Sequence, residues 1–278
     1  MTVIQLGVDC LAAASLYSLV ALAVALSFSG SGILNLAIGQ IAVAGGLTSA
    51  AVLSDGAPVW AGIVAGLAVS AVLAAIAERS LVAATLGRPV LGAVLLVAAA
   101  IVLREVLQGL FPRSGYSFPS AAATFTVAGG IVHAADLLTI AAVIVAAVLG
   151  RAVLQSTSAG AALRLTASSP GAAELLGVDT ARVRMTSFAV GGALAAAAIL
   201  LGATRFPLSA TGGETLAFRG IAAAVGGGMS SPSAVVLAAV FIAAAQVVGG
   251  YFLGSGGEAV SDLAAVLVIA GGGWRWLR

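Results

Sequence analysis

The stretch GILNLAIGQIAVAGG, residues 32–46, decides how the rest of the chain is read. It lies inside a long apolar run, yet it carries two amides, Asn35 and Gln40, and is rich in glycine. Similar apolar runs recur along the chain. Of its 278 residues only 8% are charged and 61% are hydrophobic, and the mean hydropathy is +1.18. A soluble domain carries about a quarter charged residues, so this chain lacks the side chains for a water-facing surface. Runs of about 20 apolar residues span a hydrocarbon core of ~30 Å as helices, and a helix satisfies its own backbone groups there. The polar–apolar alternation of a membrane β-barrel is missing. The expected fold is all-α, a polytopic transmembrane helical bundle of eight to nine spans with one broken or re-entrant helix.

Candidate spans cover residues 3–27, 33–53, 59–77, 90–110, 137–154, 186–203, 216–229, 233–253 and 259–273. The run 216–229 is short and glycine-rich, which marks it as the broken or re-entrant element. Arginine placement orients the bundle. With 156–185 in the cytoplasm, Arg79, Arg88, Arg151, Arg164, Arg182, Arg184, Arg275 and Arg278 lie on the inner side and Arg113 and Arg205 on the outer. That bias predicts an outer N-terminus and an inner C-terminus. The opening MTVIQLGVD has no basic residue, so the first run reads as a retained span rather than a signal peptide. Trp60, Trp274 and Trp276 fall at span ends, where amphipathic rings favour the interface.

Composition also excludes functions. A net charge of +2 does not point to nucleic acid, and one cysteine, Cys10, permits neither an internal disulfide nor a cysteine metal cluster. All 12 basic residues are arginine. Without lysine there is no GxxxxGK[ST] phosphate loop, so the chain does not itself hydrolyse ATP through one. With one histidine, His133, and no GxSxG stretch, nothing points to an intramembrane enzyme, and no cofactor is expected. Ion-coupled transport usually uses an ionisable group deep in the bundle. Here Asp9, Asp55, Glu78, Asp136, Glu258 and Asp262 fall at span ends, with Glu105 alone arguably inside.

Asn35 and Gln40 admit two readings. Amides on a glycine-rich segment can line a water-accessible path, since irregular backbone at that depth must face protein or a cavity. They can equally bond neighbouring helices, at ~1 kcal/mol each. Five positions separate them, roughly 140° around a helix, so they share one narrow path only if the helix is broken. AAVGGGMSSP, residues 223–232, is a second irregular element: its Gly226, Gly227 and Gly228 suit a close helix contact or a hinge. Arg219 and Glu214 are expected to pair near the outer interface, and Arg104 and Glu105 to reach toward it. Small residues at helical spacing in AGIVAGLAVSAVLAA, residues 61–75, predict tight helix packing.

The segment 156–185 is organised. Ser169 before Pro170 reads as an N-cap with proline at the first helical position. PGAAELL then supplies one or two turns, Gly177 ends them, and Asp179 or Thr180 caps the next helix. Physical reasoning leaves this short helix either as a docking knob or as a well-capped loop.

Residues Gly160, Ala162, Arg164, Ala167, Ala173, Leu175, Leu176, Gly177 and Val178 resemble the cytoplasmic coupling segment of permease subunits in the branched-chain amino-acid ABC transporter family. FAVGGALAAAAILLGA after them is similar to that family's next span, and GILNLAIGQ, ERSLVAATLGRPVLGA and AFRGIAAAVGGGMSSPSA resemble three further family stretches in order. Gln40 stands where the family usually has an acid, Ser233 replaces a glycine, and Arg219 adds a charge; these departures bear on the solute. The resemblance implies one transmembrane permease domain over residues 1–278, with 156–185 as its coupling segment. It implies an importer in the bacterial inner membrane for branched-chain or other aliphatic amino acids, with urea and short amides as the alternative cargo. The implied partners are separate ABC ATPase subunits, a second permease subunit and an extracytoplasmic solute-binding protein. Gly160, Ala162, Arg164, Ala167, Ala173, Leu175, Leu176 and Gly177 would couple to the ATPase. Asn35, Gly39, Gln40, Phe218, Gly226, Gly227 and Gly228 are the candidates for the translocation path. An ion-coupled transporter or channel for a small neutral solute is the competing class.

Overall fold

Apolar runs with no other backbone partner in lipid close their hydrogen bonds within helices, and the computed structural model follows that rule. It describes residues 3–112, 115–116, 118, 124–127, 130–204, 207–229 and 231–273. The helices are α1 (Val3–Ser31), α2 (Ile38–Ser54), α3 (Val59–Ala77), α4 (Pro89–Leu110), α5 (Ala134–Ser156), α6 (Ser158–Ser168), α7 (Pro170–Leu175), α8 (Thr180–Gly202), α9 (Gly213–Gly226), α10 (Pro232–Leu253) and α11 (Gly257–Gly273). Each candidate span contains a helix, although the span 33–53 becomes helical only at Ile38 and the span 216–229 leaves its helix after Gly226. Among the described residues, six helices are long and apolar enough to cross a membrane: α1, α3 with its extension, α4, α5, α8 and α10. α2 is a shorter apolar helix, and α9 has 14 residues, about 21 Å at ~1.5 Å per residue. α9 therefore falls short of a ~30 Å core.

Glycine and proline set the breaks. Gly32 takes a positive φ of 68°, and residues 32–37 are non-helical before α2 begins. α3 continues through a π-helical turn at Glu78–Val82 and a 3-10 turn at Ala83–Thr85. α4 and α10 each begin with proline, which needs no N–H partner there. The segment between α4 and α5 adds a hairpin to the all-α reading: β1 (Thr124–Val127) and β2 (Gly130–His133) are antiparallel, with Thr124 opposite His133. The His133 backbone N–H donates to an Asp136 carboxylate oxygen at 3.2 Å and caps α5. Arg113, Arg205, Trp274, Arg275, Trp276 and Arg278 lie outside the described residues. Trp60 is exposed in the first turn of α3.

α1 is the central helix, packed against α8, α10, α9 and α5. Small residues let the others close on one another. The buried face of α3 is Gly62, Gly66, Ser70 and Ala74, one residue every fourth position. A Cβ on Gly66 would stand 2.6 Å from the Gly45 carbonyl oxygen of α2, and one on Gly45 would stand 2.4 Å from the Gly66 carbonyl oxygen. On α8, a Cβ on Gly192 would stand 2.5 Å from the Ser70 carbonyl oxygen. The stripe expected in residues 61–75 is thus a three-helix seam. The Ser70 hydroxyl also donates across it to the Ile41 carbonyl at 2.7 Å.

Candidate functional site

Two groups of polar side chains stand at opposite ends of the bundle. At one end, the C-terminus of α1, the turn after α3, the α6–α7 pair, the start of α8 and the α9–α10 turn enclose a cavity of about 600 Å³. Ser31, Gly87, Thr166, Glu174, Arg184 and Met229 are among its walls.

The α6–α7 pair is built by its caps. The Thr157 hydroxyl accepts from the Gly160 N–H at 3.0 Å and starts α6, a helix beyond the one expected after Pro170. The Ser169 hydroxyl accepts from the Ala172 N–H at 3.4 Å, with Pro170 at the first position of α7. Gly177 ends that helix at a φ of 78°, and the Val178 N–H reaches back to the Ala173 carbonyl at 3.0 Å. The Asp179 carboxylate caps α8 through the Arg182 N–H at 3.0 Å. Gly160 and Ala173 face inward, Ala162 is half-buried, and Arg164, Ala167 and Gly177 are exposed. Leu175 is 90% exposed and Leu176 72%. Water penalises two such leucines in the open.

Behind α7 runs a chain of side chains into the membrane helices. The Thr180 hydroxyl donates to a Glu174 carboxylate oxygen at 2.8 Å. Arg184 Nη1 donates to the Thr180 hydroxyl at 3.4 Å, and Arg184 Nε to a Glu78 carboxylate oxygen at 3.1 Å. The Arg184 and Glu78 side chains are 10% and 4% exposed. Glu78 sits in the π-turn that extends α3, so α7, α8 and α3 are joined by one polar path. Glu78 was read as a span-end acid; it is a buried partner, a fact that only the approach of α8 reveals.

The candidate translocation residues divide between α2 and α9. Asn35 lies in the break before α2, so it is off the helix that carries Gln40. Its Oδ1 accepts from the Ala37 N–H at 3.2 Å, which shapes that break. Its Nδ2 and both polar atoms of Gln40 are buried with no hydrogen-bond partner among the described residues. Gly39 brings α2 onto α9, where a Cβ would stand 2.4 Å from Ala217. Phe218 is exposed on α9. The three glycines act in packing and turning: a Cβ on Gly226 would meet Val268 at 2.0 Å, one on Gly227 would meet the Val235 backbone at 2.4 Å, and Gly228 has a φ of 75°.

At the other end, the expected Glu214–Arg219 pair does not form. Glu214 pairs with Arg104 at 2.8 Å, and Arg104 also meets Glu105 at 3.1 Å. Arg219, one and a half turns further along α9, points into the bundle instead. Its Nε donates to an Asp262 carboxylate oxygen of α11 at 3.3 Å and its Nη1 to the Tyr17 hydroxyl of α1 at 2.9 Å. The Tyr17 hydroxyl donates to Gln246 of α10. Asp262 thus belongs to a four-helix polar cluster and is not an isolated span-end acid. Two signals existed in the sequence, Gln246 as the lone amide of its span and Tyr17 in the first, but neither indicates which helices meet.

The chain is a multi-pass helical bundle with a capped helical pair at one end and glycine seams inside. Residues 7–271 match the family described as the branched-chain amino acid transport system / permease component, and the chain belongs to that family. A solved structure, PsaBC from Streptococcus pneumoniae in complex with Fab, is similar with a TM-score of 0.53 and 15% identity, over 95% of this chain and 89% of that one. At that identity the likeness is one of fold. No curated protein matches the chain.

Proposed function

We propose that the chain is the permease subunit of an ATP-driven ABC importer that carries branched-chain or other aliphatic amino acids, with urea or short amides as the alternative cargo. The observation that carries this reading is the pair Leu175 and Leu176, 90% and 72% exposed on a short helix capped at both ends. A separate ATPase subunit docks there in the cytoplasm. The contact set is Gly160, Ala162, Arg164, Ala167, Ala173, Leu175, Leu176 and Gly177. ATP-driven closure moves α7, and the Glu174–Thr180–Arg184–Glu78 chain carries the displacement to α8 and α3. The N-terminus faces outward, where a solute-binding protein delivers cargo, and a second permease subunit completes the path in a bacterial inner membrane. Residues 156–185 are the coupling segment of a single permease domain. Asn35, Gly39, Gln40, Phe218 and the glycines 226–228 belong to the path; the unpaired amide of Gln40 supports its share.

An ion-coupled transporter is the second reading, favoured by the Arg219–Asp262 pair inside the bundle. It gives Leu175 and Leu176 no task. Affinity purification of the tagged chain from its native membrane separates the two. An ATPase subunit co-purifies, and L176D/G177W releases it while the chain still inserts. A chain that purifies without any ATPase after gentle extraction overturns the importer reading.

A further inference from the structure

The cavity behind the α6–α7 pair, about 600 Å³, has the volume of a small-molecule site and is far too large for a bare metal ion. Following the protons around its wall shows what is left for a ligand. Arg184 is the one cation among the described wall residues. Its Nε goes to Glu78 at 3.1 Å and its Nη1 to the Thr180 hydroxyl at 3.4 Å, so its charge is answered inside the protein. Glu174, also in the wall, accepts from the Thr180 hydroxyl at 2.8 Å through one oxygen. Among the described residues no cation pairs with it, and its other oxygen accepts nothing. Thr166 is a third wall residue, 3% exposed, and its hydroxyl has no partner among the described residues; a buried hydroxyl left so is costly. The Ser29 hydroxyl gives its proton to the Ala25 carbonyl at 2.8 Å and keeps only acceptor lone pairs. The end of α1 at this wall is the negative end of a helix dipole, with no basic residue in its last turn. The polar wall is therefore rich in acceptors and carries one uncompensated negative charge. Phe28, Leu86, Pro170 and Met229 supply apolar surface.

We propose that this cavity binds a small organic ammonium ion with an apolar body. The ammonium donates to the Glu174 carboxylate and to the Thr166 hydroxyl oxygen, and the apolar body lies on Phe28, Leu86 and Met229. An anion would meet Glu174 and the end of the α1 dipole, and a neutral molecule would leave Glu174 uncompensated. Because the wall joins α1, the α6–α7 pair and α8, the bound ion ties α7 to the bundle. Neither cargo nor ATPase enters this inference, so it goes beyond the import reading above.

The test uses the purified full-length chain in lipid nanodiscs. Cyclohexylammonium, cyclohexanol and cyclohexanecarboxylate are the probes, one apolar body with three polar heads. Ligand-observed magnetic resonance reads saturable binding above that of empty discs. The ammonium binds the parent chain at least about ten-fold more tightly than either other probe, and E174Q removes that preference. T166V, which keeps the side-chain shape and removes the hydroxyl, weakens the ammonium at least about two-fold. Hydrogen exchange in residues 170–175 slows when the ammonium is added to the parent and does not slow in E174Q. Equal binding of cyclohexanol overturns the cation assignment. Tightest binding of the carboxylate hands recognition to Arg184 and overturns it as well. Saturable ammonium binding that T166V leaves unchanged, with exchange in 170–175 unaltered, places the ion outside the cavity and overturns the site. No saturable binding overturns it outright. The probe comparison on the parent chain needs no variant, so a poorly folding E174Q does not protect the proposal. The assay holds no ATPase and no cargo, so this inference and the importer reading fail separately.

Discussion

Replacing Glu78 with alanine strands a buried charge. Glu78 and Arg184 are 3.1 Å apart with side chains 4% and 10% exposed. Their gross attraction at an effective dielectric constant of ~20 is about 5 kcal/mol. Desolvation of both ions offsets much of that, so the net worth of the intact pair against apolar residues of similar volume is near zero. Removing one partner is different, because Arg184 then keeps its burial and loses its counter-charge. E78A should cost about 3–5 kcal/mol, read as a fall on the order of 10 °C in thermal unfolding of the detergent-purified chain. E78L/R184M removes both charges and should recover to within about 1–2 kcal/mol of the parent. An E78A protein within about 1 kcal/mol of the parent, or a double variant as unstable as E78A, refutes the burial argument.

Gly66→Ala puts a methyl group 2.6 Å from the Gly45 carbonyl oxygen and should destabilise by about 1–3 kcal/mol. Gly109→Ala, whose Cβ meets nothing within 4 Å, should be neutral or stabilising by up to about 1 kcal/mol; equal melting shifts for the two would contradict the seam. Ser169→Ala removes the cap of α7 and should cost about 1 kcal/mol locally, seen as faster hydrogen exchange in residues 170–175 with the membrane helices unchanged. Arg104→Ala breaks two exposed ion pairs and should leave the melting temperature close to that of the parent; a clear fall would show that those pairs are shielded.

The spans were legible because lipid writes a simple rule into sequence: long apolar runs with turns at glycine and proline. The caps of α7 were legible for the same local reason, since Ser169, Pro170 and Gly177 act on neighbours in the chain. α6 was not legible because its buried residues, Gly160, Leu163 and Thr166, include one large apolar side chain only. The partners of Arg219, Glu78 and Glu214 were hidden because each lies more than forty positions away along the chain. Distance along the sequence carries no charge pattern, so Glu214 near Arg219 suggested a pair that the fold divides between α4 and α11. Asn35 and Gln40 were visible as oddities, and the break at residues 32–37 shows how both can be buried without sharing one helix face.

The central claim is that ATP, not an ion gradient, drives solute through this permease. The direct measurement is uptake of labelled leucine into proteoliposomes holding the purified transporter, with ATP supplied on the α6–α7 side and binding protein on the other. The account predicts uptake that requires ATP, persists with a protonophore present and disappears in L176D/G177W. Uptake that proceeds without ATP and collapses with the protonophore would contradict it.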